Sequence, residues 1–304
     1  MCGESTPRTA ALDVARGGKV STPWRAFLPA RVGRAHDVKK KRQEGAFHVR
    51  FRPAVTMPPL TTDALVLRTF PLGEMSVVAV LLTRSKGKVR AVAKGARGPG
   101  DRYQSSLQPL SEVRTTLYGR EGAELFRLGA VELLRSSEPP NRNLESLLAL
   151  EYCAELFEAF LAPEARDDDG YRLGRSCVTA LKQPEQNGRA VMRYAEAWTL
   201  KLHGLYPSLT RCLACRRTVT GGLSFDRSAE RVVCTNCGSA RSEVLDPDSR
   251  ALLRSALRLS PTNFADRTQG IDLAPIAKFH RELIERHLGR SLNSSRVIES
   301  VLRS

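Results

Sequence analysis

Apolar positions along this chain change their period once. Between residues 61 and 134 they come in short blocks, alternating or β-branched, broken by Gly, Pro and Ser. Beyond Pro139-Pro140 they recur every three or four residues. Ala64-Leu65-Val66-Leu67 is the first block, and Pro71-Leu72-Gly73-Glu74 turns the chain. Val77 to Leu82 reads as a second strand, followed by a hairpin turn at Ser85-Lys86-Gly87-Lys88. Val89 to Ala93 alternates. After a loop over 95–106, Val113 to Tyr118 and Leu125 to Leu133 supply two more strands, across a turn at Gly119 to Gly122. Five short strands of this kind suit a small, partly open barrel of the oligonucleotide-binding (OB) type, and an SH3-like barrel fits the same pattern.

The second region reads as helices. Asn143 caps the first, in which Leu144, Leu147, Leu148, Cys153, Leu156, Phe157 and Phe160 repeat at helical spacing. Glu145, Glu151, Glu155 and Glu158 form its other face, read as solvated. Asp167-Asp168-Asp169-Gly170 reads as a loop without the ligand spacing of a calcium site. Further helices are expected over 172–182, 189–203, 248–259 and 274–288, with a short tail from Leu292 to Leu302. His280 and His287 share a helical face and have no carboxylate partner at ligand spacing. The expected architecture is α+β: an N-terminal five-stranded OB-type barrel over 57–138 and a helical domain over 139–304.

Four cysteines interrupt the helices. Cys212 and Cys215 enclose two residues, as do Cys234 and Cys237. That spacing lets two pairs close a tetrahedron around one Zn²⁺, at roughly 2.3 Å per Zn–S bond. The alternative is two disulfides or four idle thiols. Cys2, Cys153 and Cys177 remain, an odd number, and no secretory leader is visible, so thiols in a reducing cytosol are expected. A closed tetrathiolate has no open position for water, so this finger over 212–237 is a structural element. Arg211, Arg216, Arg217 and Arg231 flank it, to offset the thiolate charge or to meet nucleic acid.

Charge then points to a polyanion. The formal charge is +16, and residues 1–56 hold 12 Lys or Arg against 4 Asp or Glu. That first segment lacks periodicity and carries Lys39-Lys40-Lys41-Arg42. It reads as a basic arm, as a transit peptide, or, the reading favoured here, as a segment ahead of a start at Met57. Inside the barrel, Arg84, Lys86, Lys88, Arg90, Lys94, Arg97 and Arg102 face a single acid, Asp101. Lys88 and Arg90 share a strand face, with Lys94 beyond, a stripe that can track a phosphate backbone. Tyr103 could stack on a base. No phosphate-binding loop, His-Glu-x-x-His or Gly-x-Ser-x-Gly turn occurs, and no apolar run approaches a membrane span, so neither an enzyme nor a membrane protein is expected.

Several stretches carry a family likeness: Ala64-Leu65-Val66-Leu67-Arg68, Leu81-Leu82-Thr83-Arg84-Ser85-Lys86-Gly87-Lys88 and Val92-Ala93-Lys94-Gly95-Ala96-Arg97. Leu205-Tyr206-Pro207-Ser208-Leu209-Thr210-Arg211-Cys212 leads into the finger. From about Asp63 to its end the chain resembles the bacterial RecO family of DNA repair and recombination mediators. The resemblance implies an OB barrel, a helical domain with an embedded zinc finger, and structural Zn²⁺ on Cys212, Cys215, Cys234 and Cys237. It implies binding to single- and double-stranded DNA, annealing, and a role in recombination and the SOS response to DNA damage. The implied partners are RecR and the C-terminal tail of single-strand-binding protein, together with which RecA is loaded onto coated strands. The implied place is the bacterial cytoplasm, at the nucleoid. DNA contacts are expected at Arg68, Arg84, Lys86, Lys88, Arg90, Lys94, Arg97 and Arg102. Helix faces at 143–161 and 189–203 are candidates for the acidic tail. Two other readings of the finger stand beside this one: a GTPase-activating module with Arg216 or Arg217 as its finger, and a zinc-ribbon transcription protein.

Overall fold

Strand β1 (Leu60–Leu72) is the longest of five strands and explains how they close. Its first half pairs with β4 (Glu112–Tyr118), and its second half with β2 (Ser76–Thr83). β3 (Gly87–Ala93) continues the meander, and β5 (Phe126–Arg135) inserts between β3 and β4. The order β1-β2-β3-β5-β4 is the OB arrangement, and the parallel contact of Ala91 and Val92 with Phe126 and Arg127 shuts it. The barrel is therefore closed, where the strand pattern suggested a partly open one. One strand shared by both edges leaves no free edge to expose. A computed structural model describes residues 58–98, 103, 106–120, 122–140, 143–183, 187–225 and 231–301 of the chain. The basic segment expected over 1–56, its boundary at Met57 and the candidate contact Arg102 lie outside the described residues.

Small side chains fill the barrel. Ala64, Val66, Ala79, Leu81, Val89, Ala91 and Ala93 point inward with Val113, Leu117, Phe126 and Leu128. The opposite face of the same strands is also buried. Leu65, Leu67, Val80 and Leu82 join the core of the helical domain, which explains the nearly unbroken apolar run of β2. Polar contacts reinforce that seam. Tyr171 donates to Glu112 at 2.9 Å, and Lys182 to the Ser136 carbonyl at 3.0 Å. Gly87 is required there: a Cβ on it would lie 1.9 Å from the Ala165 carbonyl oxygen, and its φ is +67°.

Helix α1 (Leu144–Phe160) starts at Asn143, whose side chain accepts from the Ser146 N–H at 2.6 Å. Its first turn buries Ser146 and Ala149 and leaves Leu144 and Leu147 exposed, contrary to the expected apolar face. Its acidic face is put to use. Glu155 accepts from the N–H groups of Asn293 and Ser294 and so caps α7 (Asn293–Val301). Burial works to raise that carboxyl, and these donors, with the Ser294 hydroxyl, hold it below its ordinary value. Helix α2 (Asp168–Leu181) begins where a loop was expected. Asp167 caps it through the Gly170 N–H, and Asp168 and Asp169 in the first turn suit the positive end of the helix dipole. Helices α4 (Pro247–Ala256) and α6 (Ala274–Leu288) match expectation; α5 (Pro261–Arg267) and a small sheet of β6 (Leu223–Phe225), β7 (Val232–Cys234) and β8 (Glu243–Leu245) do not appear in the sequence pattern. None of the described helices is long and apolar enough to cross a membrane.

Central helix α3 (Gly188–Leu202) is buried along most of its length and carries a buried polar chain. Glu196 accepts from Tyr152, from Arg193 at 2.9 Å and from His280 Nδ1 at 2.8 Å. His280 Nε2 lies 3.0 Å from the Tyr206 hydroxyl. A neutral imidazole satisfies both neighbours, as N–H donor to Glu196 and as acceptor from Tyr206. Burial holds His280 below its ordinary value, with Glu196 opposing and Arg193 adding to the shift. The unfolded chain takes up this proton near pH 6.5 and the folded chain does not, so the contribution to stability is present above that pH and is lost as pH falls below it. Melting temperature is expected to fall between pH 7 and pH 5, and less steeply in His280→Gln. Parallel pH profiles for the two proteins would contradict the assignment.

Candidate metal centre and nucleic-acid interface

The first cysteine pair sits on a tight hairpin. The Cys212 N–H donates to the Arg217 carbonyl at 3.0 Å, and the Val219 N–H to the Thr210 carbonyl at 2.9 Å. Arg216 takes a left-handed conformation, φ 62°, to complete the turn, and its N–H reaches the Cys212 carbonyl at 3.0 Å. The second pair sits at the end of β7 and on one turn of 3-10 helix, Thr235–Cys237. Together they place four sulfurs within 4.8 Å of one another. Cys215 and Cys234 are 3.9 Å apart, and the N–H groups of Cys215 and Cys234 approach the Cys212 sulfur at 3.5 and 3.3 Å.

The donor set fits a metal ion. Burial works to raise the Cys212 thiol, and the N–H groups of Cys215, Cys234 and Ala214 outweigh it and bring it to about 6. Cys237 is pushed up to about 12 by the neighbouring thiols of Cys234 and Cys215. Four crowded sulfurs cannot all ionise alone; a divalent cation takes all four as thiolates. These cysteines are thus positioned to bind one ion.

Arg250 on α4 is the element that sequence reasoning missed. It is buried and donates to the carbonyls of Leu209, Val219 and Thr220 at 3.0, 2.8 and 3.1 Å, the two ends of the first cysteine hairpin. Nothing in the spacing of α4 marks it, because its partners are backbone oxygens. Behind the hairpin, Phe225 of the small sheet packs edge-on against Phe279 of α6, with ring centroids 5.0 Å apart.

The barrel cations divide into two groups. Lys88 is drawn into the seam: its ammonium donates to the Glu158 carbonyl at 2.8 Å, and burial lowers it from its ordinary value. Lys86 pairs with Glu164 at 2.8 Å, and the Arg84 guanidinium lies over the Tyr171 ring. Arg90, Lys94 and Arg97 are exposed. Arg68 is exposed beside Glu158, 3.8 Å away. The antiparallel register sets Arg68 and Arg90 on one rung, either side of Val80. Of the expected stripe, Arg90 and Lys94 are exposed, while Lys88, on the same strand face as Arg90, turns toward the helices. The hydroxyl of Tyr103 donates to the Gly129 carbonyl at 3.1 Å, and its ring packs against the barrel core. On the helical side, α3 is buried along most of its length and lends Arg189, Met192 and Arg193 to the wall of a cavity it shares with α6. A groove beside the finger carries Arg211, Arg216 and Arg286 over Leu205, Leu213 and Leu283, with no carboxylate in its lining.

Comparison with known proteins agrees with this arrangement. Residues 57–137 match the family model "Recombination protein O N terminal", and residues 141–296 match "Recombination protein O C terminal". The chain is 30% identical to the DNA repair protein RecO of Koribacter versatilis over 237 residues, covering 76% of this chain and 94% of that one. It is 28% identical to the RecO protein of Symbiobacterium thermophilum, covering 77% and 98%. The same identity holds for that of Geobacter metallireducens, covering 81% and 99%. With an OB barrel, a helical domain and a four-cysteine centre spanned by both family models, the chain belongs to the RecO family.

Proposed function

We propose that this protein is a DNA repair and recombination mediator. It binds single- and double-stranded DNA on its barrel, anneals complementary strands, and acts with RecR to load RecA onto strands coated by single-strand-binding protein, whose acidic C-terminal tail it engages. The observation that supports this reading is the closed OB barrel with Arg68, Arg90, Lys94 and Arg97 exposed. Two phosphate chains repel, and cations on a sequence-tolerant barrel lower the cost of bringing them together while leaving pairing edges free. The ion at Cys212, Cys215, Cys234 and Cys237 is Zn²⁺, since four thiolates at this spacing select it. Its role is to hold the finger hairpins, so no catalytic step is assigned to it. The protein acts in the bacterial cytoplasm, at the nucleoid.

The test is annealing of two complementary oligonucleotides coated with single-strand-binding protein, followed by fluorescence energy transfer. Acceleration by the purified protein is expected, more so with RecR. No acceleration, or tight binding to one duplex sequence alone, would reject this function in favour of a transcriptional one.

A further inference from the structure

The second half of β1 stays paired with β2 and loses its cover. Its residues Arg68 to Leu72 are all exposed, whereas Ala64 to Leu67 are all buried. A bulge between Val66 and Arg68 shifts the register there. After the shift Arg68 opposes Val80, Phe70 opposes Val78, and Leu72 opposes Ser76. Arg68, Phe70 and Leu72 therefore share one face of the ribbon, the side on which Val80 meets the helical core. The register continues into β3, where Val80 opposes Arg90 and Val78 opposes Val92. Across three strands this face thus carries Arg68 and Arg90 on one rung, either side of buried Val80, and Phe70 and Val92 on the next, either side of buried Val78. At the ribbon's end Gly73 turns the chain with φ +62° and Met75 stands out. Phe70, Leu72 and Met75 are 38%, 44% and 50% exposed. Arg97 ties the tip to the next loop: its N–H donates to the Met75 carbonyl at 3.2 Å and its guanidinium to the Gly73 carbonyl at 3.4 Å.

Phe70, Leu72 and Met75 gather at one end of the ribbon, and a gathered exposed apolar patch marks a binding surface. The surroundings point to its chemistry. Arg68, Arg90, Lys94 and Arg97 are exposed around the ribbon, against Glu74 at its turn and Glu158 and Glu151 of α1 beside Arg68, so cations outnumber acids there. An aromatic ring beside a cationic rung suits a base attached to a phosphate chain better than an apolar protein face. We propose that the β1–β2 ribbon is a base-stacking finger for single-stranded DNA, with Phe70 on a base, Leu72 and Met75 alongside it, and Arg68, Arg90 and Arg97 on the adjacent phosphates. This rests on the DNA-binding reading of the barrel and adds a preference for unpaired strands. Duplex bases are already stacked and offer Phe70 no face.

The test is binding of a labelled oligo-dT and of a labelled duplex to the full chain at several salt concentrations. Phe70→Ala is expected to weaken oligo-dT binding by roughly five- to hundredfold, the effect of removing one base–aromatic stack. Its salt slope and its duplex affinity stay at the wild-type values. Phe70→Trp retains affinity, and its indole emission is quenched by oligo-dT. Because Phe70 lies on an exposed ribbon, the melting curves of both variants are expected to match the wild type, which separates lost contact from lost fold. Wild-type binding of oligo-dT by Phe70→Ala would overturn the ribbon alone, and so would an equal loss on oligo-dT and duplex. A wild-type protein that binds neither probe would overturn the DNA-binding reading and the ribbon with it.

Discussion

With the proposed Zn²⁺ at the cysteine centre, a strong chelator is expected to lower the melting temperature of this protein by more than about 10 °C, and Cys212→Ser with Cys234→Ser to have the same effect. Apparent binding energies of structural Zn²⁺ in small fingers are about 10–16 kcal/mol, as large as the whole stability of an ordinary domain. Even a net loss of about 4 kcal/mol shifts melting by roughly 8–16 °C in a domain of this size. The finger is not an appendage that could unfold alone: Cys212, Leu223, Phe225, Val232, Val233 and Leu245 belong to the same apolar core as Phe279, Leu253 and Leu200. Releasing the hairpins exposes that core. Metal analysis before and after chelation, with melting followed by circular dichroism, checks the claim. One ion per chain and an unchanged melting curve after its removal would end the structural interpretation.

Replacing Arg90, Lys94 and Arg97 together by Ala is expected to flatten the salt dependence of DNA binding. Each lost phosphate contact removes about 0.9 from the slope of log affinity against log salt on duplex and about 0.7 on single strands, so the triple variant loses about 2.7 and about 2.1 respectively. Binding near physiological salt falls for single strands and duplex alike, because phosphates carry no sequence. Lys88→Ala is the informative control. Its ammonium serves the Glu158 carbonyl across the seam, so its loss acts on stability and leaves the slope alone. A triple variant with the wild-type slope would move the DNA site off this face of the barrel.

Much of the architecture was legible as pattern. The five strand blocks, the Asn143 cap and the change of period after Pro139-Pro140 follow from local chemistry, and the structure carries each of them. The four cysteines were equally plain, because a metal site needs only two short spacings and a loop long enough to return. Misreadings occurred where a residue's role depended on something far along the chain. Asp167 to Gly170 looked like a loop because three acids precede a Gly, yet Asp167 caps a helix whose dipole those acids suit. Glu155 looked solvated, yet it caps a helix that begins 138 residues later. Lys88 and Arg90 alternate correctly and still part company, because only one of them lies under the end of α1.

The sequence by itself determined the five barrel strands, most helices of the second domain, the four-cysteine set and the gathering of positive charge between residues 84 and 97. These are local properties: side-chain period, turn residues and ligand spacing are written within a few positions of one another. The tertiary structure alone decided which cations face water, which acids act as caps or seam partners, and that a bulge after Val66 turns Phe70 outward. Those outcomes depend on packing between residues tens of positions apart, where the burial of one face consumes some polar groups and leaves the rest exposed.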